Sequence, residues 1–299
     1  MSSIPPSFAA YGEQSLQQAP AFGHGKDGVF EATLAREPGG ETRLLEELTR
    51  VPYHLAGTLD IDPAPGMTTL CLQEPTGGVA QGDRHSMEVH AREHARGHVT
   101  TQSATKVHSM DANYAHLSAS LTAEENAHLE YFPGATILNE RARCLQTITV
   151  DLDPESVVLV TDVLSPDGLT AHDPFEFDHY LSRVEARCDG DLVCLDTVDL
   201  QPTDGRPNDS AAMGEFSSLG TLYAFAPAVD TGALAETVHD AVESGEETTA
   251  GVSELADGAG LSVRVLGHGT DAVEGTIREA WGVLRRETLD SELPADRWY

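Results

Sequence analysis

From Gly28 onward the chain is cut into short β-type runs, and over most of its length nothing of helical period stands between them. VFEATLA, LLEELTRV, HLAGTLDI and MTTLCLQ come first, then the glycine-rich PTGGVAQGD. ARGHVTTQ, YAHLSASLT, AHLEYF, LQTITVDL, SVVLVTDVL, YLSRVEAR and LVCLDTVDL follow. Each run favours β-branched, aromatic and aliphatic residues and is bounded by Gly, Pro, Asn or Asp, which punctuate strands. Strands at intervals of about ten residues leave no room for crossover helices, so the chain is not built from βαβ units. The pattern indicates an all-β sandwich, barrel or solenoid. No segment recurs at a fixed period, so a regular repeat solenoid is not supported.

Helical period appears only in the last third. Asp230 is placed to cap TGALAETVHDAVES, where Leu234, Val238 and Val242 recur at i, i+4 and i+8. Asp271 likewise precedes AVEGTIREAWGVLRRE, with an apolar stripe of Val273, Ile277, Trp281 and Leu284, and with Arg285-Arg286 suited to the C-terminal end of the helix dipole. GVSELADGAGLSVRVLGHG between them reads as strand. Residues 1–25, rich in Pro, Gln, Ala and Ser without periodicity, read as a disordered or loosely attached arm, and 26–299 as one domain.

The charge excludes whole classes of partner. Forty-nine acids against 18 Lys plus Arg give −31, and the only lysines are Lys26 and Lys106. Binding nucleic acid takes a basic stripe, and here the arginines are scattered singly apart from Arg285-Arg286. An acidic, lysine-poor surface fits a salty cytoplasm, where screening removes self-repulsion. A basic partner is the other reading of the same surface. No stretch has the length and apolarity of a membrane span or secretory leader, which points to a soluble, cytoplasmic protein. Cys71, Cys144, Cys188 and Cys194 are too few to staple a chain this long. Asp189-Gly190 predicts a two-residue hairpin turn pairing Cys188 with Asp191 and Glu185 with Cys194, which puts the two thiols on opposite faces, unbonded.

Nucleotide-loop and nucleophile-elbow motifs are absent. The one enzyme-like string is His90-Ala91-Arg92-Glu93-His94, an H-x-x-E-H pattern. On a helix it would put His90 and His94 on one face to hold zinc with Glu93 activating a water, making a zinc-dependent hydrolase the alternative function. SMEVHAREHA has fair helix propensity, but Gly97 and Val99-Thr100-Thr101 follow at once, and the competing reading is a polar hairpin tip.

Around that string lies an ordered set of motifs. Pro75, Gly77, Gly78, Gly82 and Asp83 form P-x-G-G-x-x-x-G-D; Thr100, Thr101, Gln102, Thr105 and Lys106 form T-T-Q-x-x-T-K; Glu130 and Pro133 lie in LEYFP, with Ile137 four residues beyond. The glycines supply positive-φ or close-approach backbone, and the Thr-Thr-Gln run is an extended strand with hydroxyls and an amide to satisfy. This set resembles the UreD (UreH) family of urease accessory proteins. The likeness continues through VVLVTDVLSPDG, the hairpin RCDGDLVCLD and the helix AWGVLRRETL to Trp298, over about residues 25–299, and departs from the family pattern at Gly168–Asp173.

The resemblance implies a mainly β fold, an irregular β-helix-like stack of strands with a few helices, and a non-catalytic urease maturation factor. Such a protein binds apo-urease, recruits UreF and through it the GTPase UreG, and passes Ni²⁺ through an internal channel to the urease active site, with no tightly bound cofactor. In that fold His90 to His98 spans a strand, a turn and a returning strand. A nickel route needs ligands that release the ion. Carboxylates set in apolar strands are the candidates: Asp83, Asp162 inside VVLVTDVL and Asp196 inside LVCLDTVDL. Each also reads as an ordinary solvent-facing strand residue. His85, His90, His94, His98 and His108 read as surface histidines or as nickel collectors.

Overall fold

A strand alternating apolar and polar residues has one face to bury, and this chain buries that face by winding strand upon strand. The computed structural model describes residues 4–15, 25–166, 173–203, 209, 213–242 and 247–294. Gly168 to His172 of the divergent loop, residues 16–24 of the expected arm and Trp298 lie outside the described residues.

After α1 (Pro6–Gly12), strands β1 (Asp27–Arg36), β2 (Thr42–Arg50), β3 (His54–Leu59) and β4 (Met67–Gln73) lead into the coils. These comprise β5 (Arg84–Ala91), β6 (Arg96–Thr101) and β7 (Thr105–Val107); β8 (Ala115–Ala123), β9 (His128–Phe132) and β10 (Thr136–Leu138); and β11 (Arg143–Leu152) with β12 (Val157–Pro166). Then come β13 (His179–Cys188), β14 (Asp191–Leu200), β15 (Ser218–Phe225), α2 (Thr231–Ala241), β16 (Thr248–Glu254), β17 (Gly260–Gly267) and α3 (Thr270–Leu289).

Successive coils stack in parallel: β1, β5, β8, β11 and β13 in one sheet, β4, β6, β9 and β12 in the other, and β7 beside β10 on a short third face. Arg84 lies beside His116 and His116 beside Leu145, so a coil takes about 30 residues. The steps are unequal, which is why no fixed period shows in the sequence. The antiparallel β2 and β14 close the ends of the first sheet, and β3 and the β15–β17–β16 meander extend the second. The fold is the irregular β-helix-like stack that the family resemblance implies, with helices toward the C-terminus.

The interior between the sheets is apolar, with Phe30, Leu34, Leu72, Val89, Leu121, Leu129, Val150, Val160 and Phe225 among its residues. The outer face of the second sheet is covered by α2 and α3: Leu234, Val238, Val273, Ile277, Trp281 and Leu284 pack on Leu159, Leu222, Val263 and Val265. Covered on both faces, β15 is buried along its whole length. Gly220 makes this possible, because a Cβ there would come 2.5 Å from both Ile277 and Val273.

Several local expectations are corrected. Asp230 caps α2 by accepting from the Ala233 amide as read, but α3 begins one residue before Asp271, with Gly269 at its N-cap. Arg286 stands in the last turn of α3 as read, whereas Arg285 beside it is fully buried. The hairpin keeps Cys188 opposite Asp191, but a bulge between Ala186 and Arg187 pairs Cys194 with Ala186. That one-residue shift brings both thiols to the core face, where they remain free. Within the expected loose arm, Pro6–Gly12 is helical and Phe8 is fully buried against Tyr114, Leu145 and Leu181.

Candidate functional site

The glycine motif follows β4 and is laid against the next coil. Gly77 and Gly78 have φ of 82° and 121°, and a Cβ on Gly78 would fall 2.3 Å from the Lys106 carbonyl oxygen. With that approach open, the Val79 amide donates to the Lys106 carbonyl (2.8 Å) and the His108 amide to the Val79 carbonyl (2.9 Å). Asp83 locks the loop. It is buried, and its carboxylate accepts from the Lys26 amide (2.6 Å) and the Ala80 amide (2.8 Å). The Lys26 ammonium lies 3.2 Å from it and also donates to the Gly78 carbonyl (2.7 Å) and Thr76 Oγ1 (3.1 Å).

The second motif ties coils together. Thr100 Oγ1 donates to the Phe132 carbonyl (2.7 Å), Thr101 Oγ1 accepts from the Gly134 amide (2.8 Å), and the Gln102 amide donates to the Leu72 carbonyl (2.7 Å). Between the sheets these pieces frame a cavity of about 240 Å³. Gly77, Gly78, Thr101, Thr105, Lys106 and Pro133 line it, together with Glu74, Tyr53, Tyr131, Gln146 and Asp162.

Asp162 shares the interior face of β12 with Val158 and Val160, as period two requires. It is surrounded by protein and reachable only in part, through the cavity. Ser182 Oγ (2.6 Å), Tyr180 OH (3.1 Å) and Gln146 Nε2 (3.1 Å) donate to it. Burial raises its pKa, and those three donors and Arg264 hold the rise back. Glu74, two residues beyond Leu72 on the same alternation, is also raised, by burial first, with Lys26 opposing and Asp83 reinforcing. The tyrosines bind the set electrostatically. Burial first, then Tyr131 and Glu74, raise Tyr53; burial and Asp162 raise Tyr131; burial, Asp196 and Asp162 raise Tyr223.

The three aspartates therefore do different things. Asp162 lines the cavity; Asp83 is a loop lock; Asp196, on the edge strand β14, is ion-paired to Arg264 and accepts from Tyr223 OH (2.8 Å). Glu74, Gln146, Tyr53 and Tyr131 escaped the sequence reading, although the Leu72–Glu74 alternation was the signal that could have found Glu74.

The histidines separate in the same way. His90, on β5, meets Glu124 at 2.7 Å; His94 is exposed in a turn with φ of 60°. β5 and β6 belong to different sheets, so the string turns a corner of the stack and is neither a helix nor a hairpin tip. Among the described residues no group of three or more His, Cys, Asp or Glu side chains stands where it could hold a metal ion, and the zinc-hydrolase reading has no support. His108 stays at the surface, its Nε2 3.0 Å from the Gly77 carbonyl. His85 and His98 are buried.

His98 and Glu130 belong to a second polar cluster, between the stack and α3. Glu130 accepts from His98 Nδ1 (2.9 Å), His128 Nε2 (3.1 Å) and Arg285 Nη1 (3.0 Å), and Arg285 also pairs with Asp62. His98 stacks on Trp281 with ring centroids 5.3 Å apart. Burial alone would raise Glu130, but the bonds from His128 and His98 and the charge of Arg285 hold it well below the carboxylate range.

A sequence profile described as UreD urease accessory protein matches residues 26–299. The chain belongs to the UreD family. Among its UreD relatives, the urease accessory protein UreD of Natronomonas pharaonis is 61% identical over 299 residues, covering 100% of both chains. That of Haloquadratum walsbyi is 52% identical over 97% of this chain and 95% of its own, and that of Haloarcula marismortui 40% identical over 98% of each. These are proteins of halophilic archaea, and this UreD chain carries a formal charge of −31. Among the described residues of this UreD chain, no helix is long and apolar enough to cross a membrane.

Proposed function

We propose that this UreD-family chain serves urease maturation as a non-catalytic scaffold in the cytoplasm. It binds apo-urease, recruits UreF and through it the GTPase UreG, and helps deliver Ni²⁺, which it holds only in passing and with no tightly bound cofactor. The observation that carries this reading is the cavity between the two sheets, framed by the family motif and lined by Glu74 and Asp162. A carboxylate enclosed this way is costly unless it meets water or a cation, and a dication in transit supplies that compensation. Asp83 and Asp196 flank the cavity electrostatically, coupled to it through Glu74 and Tyr223.

The test is Asp162→Asn, which keeps shape and some hydrogen bonding but removes the charge. Co-expressed with urease and the accessory proteins, it should still form the complexes seen by size exclusion while nickel per urease active site falls. Normal nickel loading would sink the route. Loss of assembly together with nickel would make Asp162 a structural carboxylate.

A further inference from the structure

His85 faces the interior from β5, on the same alternation as Met87 and Val89, and its side chain is fully buried. Its Nδ1 stands 3.7 Å from Glu74 Oε1, beyond hydrogen-bonding distance. Both of these atoms are shielded from solvent and have no hydrogen-bond partner, and neither has His85 Nε2. Three orphaned polar atoms thus converge at the place where the glycine motif meets the cavity wall. Buried donors and acceptors in a native fold are rarely left without partners.

The ring is held where it is. Tyr53 packs edge-on with centroids 5.4 Å apart, and Gly28 leaves room on the other side, since a Cβ there would come 3.0 Å from His85 Cδ2 and 2.6 Å from Pro52 Cδ. A neutral imidazole held in this position has one nitrogen lone pair free to coordinate. Glu74 brings negative charge to the imidazole, and the nearby Lys26 ammonium is turned to Asp83, Gly78 and Thr76.

We propose that Glu74 and His85 form a two-ligand binding station for a divalent transition-metal ion at the edge of the cavity. An ion ~2.1 Å from both donors would span their 3.7 Å separation at an angle of roughly 120°, near trigonal or tetrahedral geometry, with no movement of the backbone. One imidazole nitrogen and one carboxylate oxygen suit Ni²⁺, Co²⁺ or Zn²⁺ and discriminate against Mg²⁺ and Ca²⁺. Water carried in with the ion completes the shell. With only two protein ligands the ion is held loosely and can leave. The station deepens the nickel-route reading and rests on it only for the identity of the ion carried.

The experiment titrates Ni²⁺, with Mg²⁺ as control, into the full-length protein in molar KCl by calorimetry, comparing wild type with Glu74→Gln and His85→Leu. Each substitution should weaken the tightest nickel step at least tenfold, with far-UV circular dichroism and the urea midpoint showing that the fold is kept. Zn²⁺ added to ¹⁵N-histidine-labelled protein should shift the His85 ring nitrogens. If His85→Leu fails to fold, the near-isosteric Glu74→Gln still decides. Nickel isotherms unchanged in the folded variants, or His85 nitrogens unmoved by Zn²⁺, overturn the station. That failure is separate from failure of the nickel route, which is read from urease loading with Asp162→Asn and does not depend on binding to the isolated protein.

Discussion

Replacing Arg285 with Met tests what fastens α3 to the stack. Arg285, Asp62 and Glu130 have side chains that are 0% exposed, and one guanidinium bridges both carboxylates. Removing it leaves two buried carboxylates facing each other with only His98 and His128 beside Glu130. Breaking a buried pair from one side costs about 3–5 kcal/mol, because the partner's charge is left uncompensated. Met nearly preserves the apolar stem, so little is lost beyond the charge pairs and the guanidinium's place over the Trp281 ring. Urea unfolding in molar KCl, followed by tryptophan fluorescence and far-UV circular dichroism, should show a loss of that size. Neutralising the other two groups in the same background, with Asp62→Asn and Glu130→Gln, should recover about half of it or more, as for a charge cluster replaced whole. Acid supplies a second check. Glu130 is held below its unfolded value, so its contribution is complete above the unfolded pKa of about 4.3 and is lost as pH falls toward the folded one. The gap between wild type and Arg285→Met should therefore be full at neutral pH and narrow below about pH 4. A loss under about 1 kcal/mol for Arg285→Met, or a triple variant no more stable than the single one, would refute the account of α3 as pinned by a buried charge network.

The surface makes a different demand. With a formal charge of −31 the chain should be native in molar KCl and loosened in dilute buffer, and identical circular dichroism and fluorescence in both would remove the halophilic reading. His90→Ala removes only a half-exposed contact to Glu124, so stability should change by no more than about 1 kcal/mol and urease maturation should persist. Loss of maturation with the fold intact would give the H-x-x-E-H string a role that its corner geometry does not suggest.

Most of the strand framework was legible because period-two alternation is a local property, written into each run by its own residues. The coil-to-coil stacking was not. A coil takes about 30 residues, but the steps are uneven, so no repeat announces which strand lies beside which. The thiol faces went wrong for a related reason: one bulged residue, Val193 on β14, reverses the alternation, and nothing in RCDGDLVCLD marks it. Arg285 was read by position alone, as a cation at a helix end, whereas its partners Asp62 and Glu130 come from segments 223 and 155 residues away. Long-range polar pairing of this kind leaves no local trace.

The same contrast explains how the motif residues relate to the cavity. Asp83, Thr100, Thr101 and Gln102 spend their hydrogen bonds on the backbone of their own loops and of neighbouring coils. A solenoid interior closes by apolar packing wherever its inward residues allow, so an opening persists only where the backbone is held apart and inward positions are polar. Here the first condition is met by the glycine loop laid on β7 and by the Thr100–Phe132 and Thr101–Gly134 bonds, the second by Glu74, Gln146 and Asp162. The motif is thus the frame, and the residues that can meet an ion are the ones it encloses. Substitutions in the frame should alter stability and cavity together, whereas Glu74 and Asp162 can lose their charge with the frame left standing. That separation is what allows the nickel measurements to distinguish a lost ligand from a collapsed wall.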